Sequence, residues 1–428
     1  MVIRSFFMIL VLMLSSVSRA ELVIEVTQGK QSAIPIAIVP FSWEGTEALP
    51  EDISGIVNND LGSSGYFRAL DRGLMITYPD NPDDMVFADW RNLKQDFVVV
   101  GRVTVAPEGG YAVEFHVMDV HNRIEMLHHR VKGAENQLRD ISHYISDYIF
   151  KRLTGIPGVF STKLVYVTTN PERTRFNLSF ADADGAREQL IFRSDAPVLS
   201  PAWSPDGRYV AYVSFENGHS EIFFQELATG TRTKVVSFDG SNSAPAFSPD
   251  GKKLAFVHST LGNPEIYVMD LASRKVTQVT DHYAIDTEPQ WMNDNRHIMF
   301  TSSRAGGPQI YKLDTQTGSV QRQTFEGRYN ARPRLTDDNS KMVFVTGGGD
   351  RFHIAVQDLE TRRVRVLTSN TALDESPSVA PNGSMIIYAT TENDRNILAA
   401  VSVDGEAQFR LPSRFGDVRE PAWSPIMN

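Results

Sequence analysis

Acidic side chains recur through the C-terminal two-thirds of the chain, and several arginines lie among them. Carboxylate oxygens that are brought together bind calcium or another hard cation. A field of negative charge also attracts the basic surface of a partner protein. Which of these applies depends on whether the fold gathers the side chains at one place. The group comprises Asp239, Asp286, Glu288, Glu326, Asp374, Glu375, Asp417 and Glu420, with Arg328, Arg332 and Arg419.

Three shorter motifs offer other chemistry. Asp182-x-Asp184-Gly185 resembles the first half of a calcium loop but lacks the later ligands, so a hairpin turn is the simpler interpretation. The run Gly347-Gly348-Gly349 could cradle a phosphate, although a flexible turn is the simpler interpretation here too. His128 and His129 are adjacent, and on a strand their side chains point to opposite faces, so the pair cannot easily share a metal.

Motifs of catalysis are missing from the sequence. It contains no G-x-S-x-G elbow, no Walker A motif and no H-E-x-x-H pair, and no G-x-G-x-x-G opens a helix. We therefore predict that the protein is not an enzyme, with no catalytic residues, no metal ligands and no cofactor-binding residues.

A repeat of 44 residues sets the positions of the acidic group. Five columns of similar residues keep this spacing, and the first is a proline that heads each unit. Large aromatic residues and then isoleucine or leucine follow at fixed offsets, as in Tyr212 and Ile222. Regular spacing over several periods is the signature of a repeat fold. The prolines are Pro201, Pro245, Pro289, Pro333, Pro377 and Pro421.

Each repeat reads as four antiparallel strands, named A to D. Asp or Asn followed by Gly or Asn provides the tight turn between strands A and B. A four-stranded unit of this length is typical of a propeller blade. The sixth A strand, at 420–425, ends the chain, while the strands from Lys163 onward lack an A strand, so the C-terminus is expected to close the ring. We predict an all-β six-bladed β-propeller over residues 156–428, whose A strands bring the acidic loops close to a central channel.

The N-terminal part divides differently. Residues 1–20 have the charged start, apolar run and small-residue cleavage site of a signal peptide. Residues 21–33 alternate like a strand, which is either a mobile arm that binds a partner or an ordinary edge strand. Residues 34–155 predict a small α+β domain with a three-stranded meander and a long amphipathic helix, Ala134 to Leu153, capped by Gly155.

Composition limits the partners. The formal net charge of −10 gives no basic stripe for nucleic acid and no attraction to an anionic membrane surface. The chain has no cysteine, so it has no disulfides, and a large bacterial periplasmic protein fits this better than a small secreted module. We expect a soluble periplasmic protein that reaches membranes only through partners.

The repeated PAWSPDG-type segment (201–207 and 245–251), the terminal EPAWSP, the signal peptide and the small N-terminal domain together resemble the TolB family of the Tol–Pal system. The resemblance implies a monomeric scaffold that supports outer-membrane constriction at division and envelope integrity. It also implies that the propeller channel face binds Pal, the peptidoglycan-associated lipoprotein. The positions are Asn242, Ala244, Asp286, Thr287, Glu288, Arg332, Glu375 and Glu420.

The same resemblance implies that the N-terminal strand binds the C-terminal domain of TolA. Its positions are Glu21, Leu22, Val23, Ile24, Glu25 and Val26. The alternative is a metal-dependent, lactonase-like hydrolase, because six-bladed propellers also carry such enzymes. That alternative would need a metal, such as calcium, held in the channel by several carboxylates.

Overall fold

The computed structural model describes residues 25–28, 32–260, 262–369, 371, 373–411 and 416–427, with the side chains of 25–28 excluded. The segment 1–20, predicted to be a signal peptide, lies outside these residues. Within the described part of the chain, no helix is both long enough and apolar enough to cross a membrane.

The N-terminal region is a mixed sheet with helices packed on it. The sheet has the order β4-β2-β5-β6-β7, and β3 pairs with β5. Strand β2 runs parallel to both β4 and β5, and the long strands β5, β6 and β7 form the predicted antiparallel meander. The elements are β1 (Glu25–Gln28), β2 (Ile34–Ile38), β3 (Ser42–Trp43), α1 (Ile53–Ser63), β4 (Phe67–Ala69), α2 (Phe87–Asn92), β5 (Phe97–Val105), β6 (Tyr111–Asp119), β7 (Ile124–Gly133) and α3 (Leu138–Thr154).

Local signals explain where the two larger helices begin and end. The Asp52 side chain accepts a hydrogen bond of 2.9 Å from Gly55 N, which satisfies a free amide at the start of α1. Leu138, Ile145 and related residues of α3 are buried against the sheet, as the apolar periodicity predicts. Gly155 ends α3 with φ of +76°, a left-handed conformation that glycine adopts without a side-chain clash.

Six blades of four strands each form the ring, and blade six carries one further strand at its outer edge, which confirms the predicted fold. Within each sheet the strands are antiparallel, and in blades two to six they follow one another along the chain. The strands are β8 (Lys163–Thr169), β9 (Phe176–Asp182) and β10 (Gln189–Ser194) in blade one; β11 (Val198–Trp203), β12 (Tyr209–Ser214), β13 (Glu221–Glu226) and β14 (Arg232–Val236) in blade two; β15 (Ser241–Phe247), β16 (Lys253–Ser259), β17 (Glu265–Asp270) and β18 (Val276–Gln278) in blade three; β19 (Asp286–Trp291), β20 (His297–Ser302), β21 (Gln309–Asp314) and β22 (Val320–Arg322) in blade four; β23 (Tyr329–Leu335), β24 (Lys341–Gly348), β25 (Arg351–Asp358) and β26 (Val364–Val366) in blade five; and β27 (Asp374–Val379), β28 (Met385–Glu392), β29 (Arg395–Ser402) and β30 (Gln408–Leu411) in blade six, followed by β31 (Asp417–Trp423), which joins blade one.

The C-terminal strand closes the ring as predicted. Strand β31 pairs antiparallel with β8, so blade one has the order β10-β9-β8-β31. The indole nitrogen of Trp423 donates to Thr162 Oγ1 at 2.8 Å, and Lys163 N donates to Ser424 Oγ at 2.9 Å. The pairing covers the edge of β8 that would otherwise be open, and an open edge is an aggregation liability.

The aromatic and isoleucine columns of the repeat form the core between blades. The aromatic members are buried, and the smaller members have no exposed area. Packing of this kind holds each blade to its neighbours, because one four-stranded sheet cannot cover both of its own faces. The members are Tyr212, Phe256, Phe300, Phe344 and Tyr388, and Ile222, Ile266, Ile310, Ile354 and Leu398.

The short strand β1 lies on the propeller. It pairs antiparallel with β30 and becomes the fifth, outermost strand of blade six, with Glu25 opposite Arg410 and Val26 opposite Phe409. It is therefore an edge strand, but of the propeller and not of the N-terminal sheet. Residues 21–24, the other positions predicted to bind TolA, lie outside the described residues.

Candidate binding site in the propeller channel

A ring of six residues with unusual backbone geometry lines the channel. Each directly precedes a proline of the repeat, and each has a positive φ between +48° and +55°. Non-glycine residues rarely adopt this left-handed conformation, which costs roughly 1–2 kcal/mol per residue. The ring, which we call the channel ring, consists of Ser200, Ala244, Glu288, Arg332, Ser376 and Glu420.

A β-bulge explains the geometry of the channel ring. In blade three, Ser243 is opposite Val257 and Ala246 is opposite Ala255, so two residues of the A strand face one residue of the B strand. The same break in register occurs in the other five blades. A bulge bends the strand and re-aims a side chain. All six ring residues consequently line one cavity of about 330 Å³.

Hydrogen bonds and an ion pair join the ring residues of blades four, five, six and one. Arg332 Nε donates to Glu288 Oε1 at 2.7 Å, and the Arg332 backbone amide donates to Glu288 Oε2 at 2.9 Å. Thr301 also donates to Glu288 Oε2, at 2.9 Å. The Arg332 guanidinium donates to the Ser376 hydroxyl and lies 3.7 Å from Glu420 Oε1. These contacts fix the charges in position, and we call them the channel network.

A second arginine makes the channel wall less acidic than the loops predict. Arg334 lines the same cavity, and burial lowers the pKa of its guanidinium. Burial opposes the charge of Arg332 as well, but Glu420, Glu288 and Glu375 outweigh this effect and raise the pKa of Arg332. The A strands thus place two positive charges between the carboxylates, and the wall carries both signs.

The arrangement does not fit a calcium ion. Calcium requires six to eight oxygen ligands, whereas both oxygens of Glu288 already accept hydrogen bonds. Glu420 faces the Arg332 guanidinium. Among the described residues, the groups of three or more carboxylate or histidine ligand atoms that lie within 4.8 Å of one another are outside the channel.

The predicted site residues separate into two sets. Ala244, Glu288, Arg332 and Glu420 are channel-ring residues, and Thr287 and Glu375 are partly exposed beside them.

Asn242 and Asp286 are fully buried instead. The Asn242 amide donates to the carbonyls of Ser220 and Phe238, and Asp286 is paired with Arg304 at 2.5 Å. Any effect of these two residues on a partner must be indirect. Sequence reasoning missed Ser200, Ser376 and Arg334, although the position before each repeating proline was a signal for the two serines.

Another charged cluster joins the N-terminal region to blade one, and we call it the interdomain cluster. The Asp182 carboxylate accepts hydrogen bonds from Lys163 Nζ at 2.6 Å, from Arg187 Nε at 2.7 Å and from Arg139 Nε at 3.2 Å. Arg139 comes from α3, and it also pairs with Asp184.

The predicted hairpin turn is present at this position, with Gly185 N donating to Asp182 O at 2.8 Å. The sequence did not predict that the side chain of Asp182, at the start of this turn, would also bind the cations of the interdomain cluster.

His143 lies at the centre of the interdomain cluster. Its Nδ1 is 2.8 Å from Asp60 Oδ2, and both side chains are almost completely buried. Burial alone would lower the pKa of His143, but the neighbouring carboxylates of Asp182, Asp60 and Asp184 raise it to about 10. The pKa of Asp182 lies far below its ordinary value, because His143, Arg187 and Lys163 outweigh the cost of its burial.

Comparisons with known proteins agree with this architecture. A family model for the TolB amino-terminal domain matches residues 22–126, and a model for the TolB beta propeller domain matches residues 150–427. The crystal structure of TolB from Acinetobacter baumannii is 41% identical to this chain. It superposes with a TM-score of 0.87, which covers 95% of this chain and all of that one.

Curated relatives show the same likeness over part of their length. The Tol-Pal system protein TolB of Marinomonas sp. (strain MWYL1) is 50% identical over 232 residues, which is 54% of each chain. The Tol-Pal system protein TolB of Pseudomonas aeruginosa is 48% identical over 223 residues, or 51% of each. Each alignment thus spans about half the length of the relative. The match to both domain models shows that the chain belongs to the TolB family of Tol–Pal system proteins.

Proposed function

We propose that the protein is a non-enzymatic periplasmic scaffold of the Tol–Pal system. In this proposal the propeller channel binds Pal and the N-terminal strand binds the C-terminal domain of TolA. Through the two partners the protein supports constriction of the outer membrane at division and the integrity of the envelope.

The observation that carries the Pal site is the channel ring. Six A strands contribute one re-aimed residue each to a single cavity, and the channel network holds the charged members in place. Strained backbone that recurs around one cavity is a feature of binding sites. Fixed arginines in a partly enclosed pocket are favourable contacts for a partner, because little side-chain freedom is lost on binding.

A bulky residue in the ring tests the Pal site. Ala244 lines the cavity, so the indole of Ala244→Trp would occupy space that a partner needs. Because Ala244 has φ of +48°, which a bulky residue adopts less readily, the melting temperature of the variant is measured beside its affinity. We expect at least a tenfold loss of affinity for the periplasmic domain of Pal in calorimetric titration, and a similar loss for Thr287→Trp. Lys275→Trp is the matched control, because Lys275 is exposed at the outer edge of blade three. Affinities within twofold of the unmodified protein for both channel variants would place the site elsewhere.

The TolA site rests on the pairing of β1. Among the described residues, 25–28 pair with β30 at the outer edge of blade six, and no further described strand covers β1. A short terminal strand of this kind can exchange its own edge for the sheet edge of a partner, because backbone hydrogen bonds supply the affinity in both cases.

Truncation of residues 21–33 tests the TolA site. We expect TolA binding to be lost while the melting transition stays within a few degrees and Pal affinity stays within twofold. If the truncated protein still binds TolA, residues 21–33 are not the TolA-binding arm. If the truncated protein is unfolded, the strand is needed for the fold and not for recognition. The truncation ends just before Ile34, where β2 begins, so it leaves every strand of the N-terminal sheet in place.

Two further measurements test whether the protein is an enzyme and whether it is located in the periplasm. Purified protein should hydrolyse generic esters and lactones no faster than buffer, with or without added calcium. In cell fractionation the mature chain should appear in the periplasm and begin near Glu21.

A further inference from the structure

A cluster of histidine and glutamate lies on the outer side of the N-terminal sheet, far in sequence from the residues of the channel ring. Strands β6 and β7 place His116 directly opposite His128. Glu114 is two residues from His116 on the same strand, so all three side chains share one face. The alternate residues Val113, Phe115 and Val117 point into the core. The face is therefore formed by the register of the sheet.

We propose that Glu114, His116 and His128 form a binding site for a divalent transition-metal ion of the zinc class. One nitrogen or oxygen atom from each of the three lies within 4.8 Å of the others. Ligand atoms around a tetrahedral zinc ion are about 3.3 Å apart, since each bond is about 2.0–2.1 Å. Binding would therefore require the side chains to rotate, including one of the two histidine rings. Two histidines and one carboxylate are also a ligand set that zinc uses when one position stays open to solvent.

Neighbouring side chains already hold two of the three ligands, Glu114 and His116. Arg102 donates from Nε and Nη2 to one oxygen of Glu114, at 3.0 and 2.8 Å, which leaves the other oxygen 2.9 Å from His128 Nε2. Glu125 lies 2.6 Å from His116 Nδ1 and fixes that ring, as outer carboxylates do at metal sites.

Access supports the assignment. The rings of His116 and His128 are stacked with centroids 4.2 Å apart and an angle of 14° between their planes, so one ring must turn before both can direct a nitrogen lone pair at the same ion. The side chain of His128 is 48% exposed, so an ion can enter from solvent without opening the fold. His129, the next residue, packs on Tyr148 on the other side of the strand and cannot contribute.

Titration of the complete mature chain with cobalt(II) tests the proposal. The protein is purified without a histidine tag and freed of metal by chelation. We expect one equivalent of cobalt to produce visible absorption bands and one equivalent of zinc to abolish them. Absence of saturation at one equivalent would overturn the proposal.

Variants decide whether this cluster is the site. His116→Asn and His128→Asn remove a ligand and should weaken zinc binding by about 100-fold or more, and Glu125→Gln, which only loosens His116, by about tenfold. His129→Asn is the matched control and should stay within twofold. Equal losses for His128→Asn and His129→Asn would mean nonspecific surface binding and would overturn the proposal. Because the His128 side chain is half exposed, His128→Asn still tests the site if His116→Asn disturbs folding.

Discussion

The channel network and the interdomain cluster are built from similar residue types and differ in their surroundings. In the channel, the side chains of Arg332 and Glu288 keep 30% and 20% of their area exposed. In the interdomain cluster, the side chains of Asp182 and His143 keep only 2% and 1%. The first is open to a partner, whereas the second is closed by its own protein.

This difference in exposure suits the channel network to binding a partner and the interdomain cluster to holding the N-terminal region on blade one. Asp182 accepts hydrogen bonds from three cations and has no capacity left for a partner. Its loss would remove the carboxylate that these three cations share at the boundary between the two regions, although Arg139 keeps Asp184 and Lys163 and Arg187 keep Asp140. Arg332 still presents an exposed edge, so its charge is available to an incoming protein. A buried charge network should therefore affect stability, and a partly exposed one should affect binding.

Removing residues 420–428 should have the largest effect, because it breaks the frame that holds the channel network. The deletion removes Glu420 and part of the pairing between β31 and β8. We expect the melting temperature to fall by about 10 °C or more, as several kcal/mol are lost in a domain of this size. An unchanged melting temperature in calorimetry would mean that closure by β31 contributes little to stability.

Asp182→Asn should be the most destabilising single change in either cluster. Breaking a buried ion pair on one side costs about 3–5 kcal/mol, because the remaining charges stay desolvated. Asp270 occupies the corresponding position two repeats later, and its side chain accepts hydrogen bonds from Ser273 in its own turn. Asp270→Asn is thus the matched control and should leave the urea unfolding midpoint almost unchanged. Equal midpoints for the two variants would contradict the attachment role.

The interdomain cluster should also give the stability a dependence on pH. The pKa of His143 is about 10 in the folded protein and near 6.5 when unfolded. Its stabilising contribution is therefore complete below about pH 6.5 and disappears as the pH rises through about 10. The lowered pKa of Asp182 acts in the opposite sense, with a contribution that is lost as the pH falls below about 3.8. Melting curves at several pH values should show the alkaline loss in the unmodified protein and not in His143→Gln.

The parts of the fold that follow from short-range patterns could be predicted from the sequence. The 44-residue columns identified the blades, the closing strand and the buried residues such as Tyr212, because each repeat places the same residue type in the same environment. The helix over Leu138–Thr154 followed from apolar periodicity and a glycine cap. The short strand β4 was missed, because three residues carry too little pattern to be recognised.

The sites depended on contacts that the pattern does not contain. Ring residues such as Arg332 and Ser376 are not types that favour a positive φ, so only the strand register reveals the bulge. His116 and His128 meet because β6 and β7 pair in that register, and the sequence drew attention to the adjacent His129 instead. The attachment role of Asp182 needs a cation from α3, which is 43 residues away.

The most direct test compares one residue from each charged cluster in a single assay. Calorimetric titration of the Pal periplasmic domain should show at least tenfold weaker binding to Arg332→Gln, which loses a partly exposed arginine at the site, while its melting temperature falls by only a few degrees. Asp182→Asn should show the reverse, with a lower melting temperature and an affinity within twofold at a temperature where it is folded. Pal affinity that is unchanged by Arg332→Gln, or reduced equally by both variants, would contradict the account.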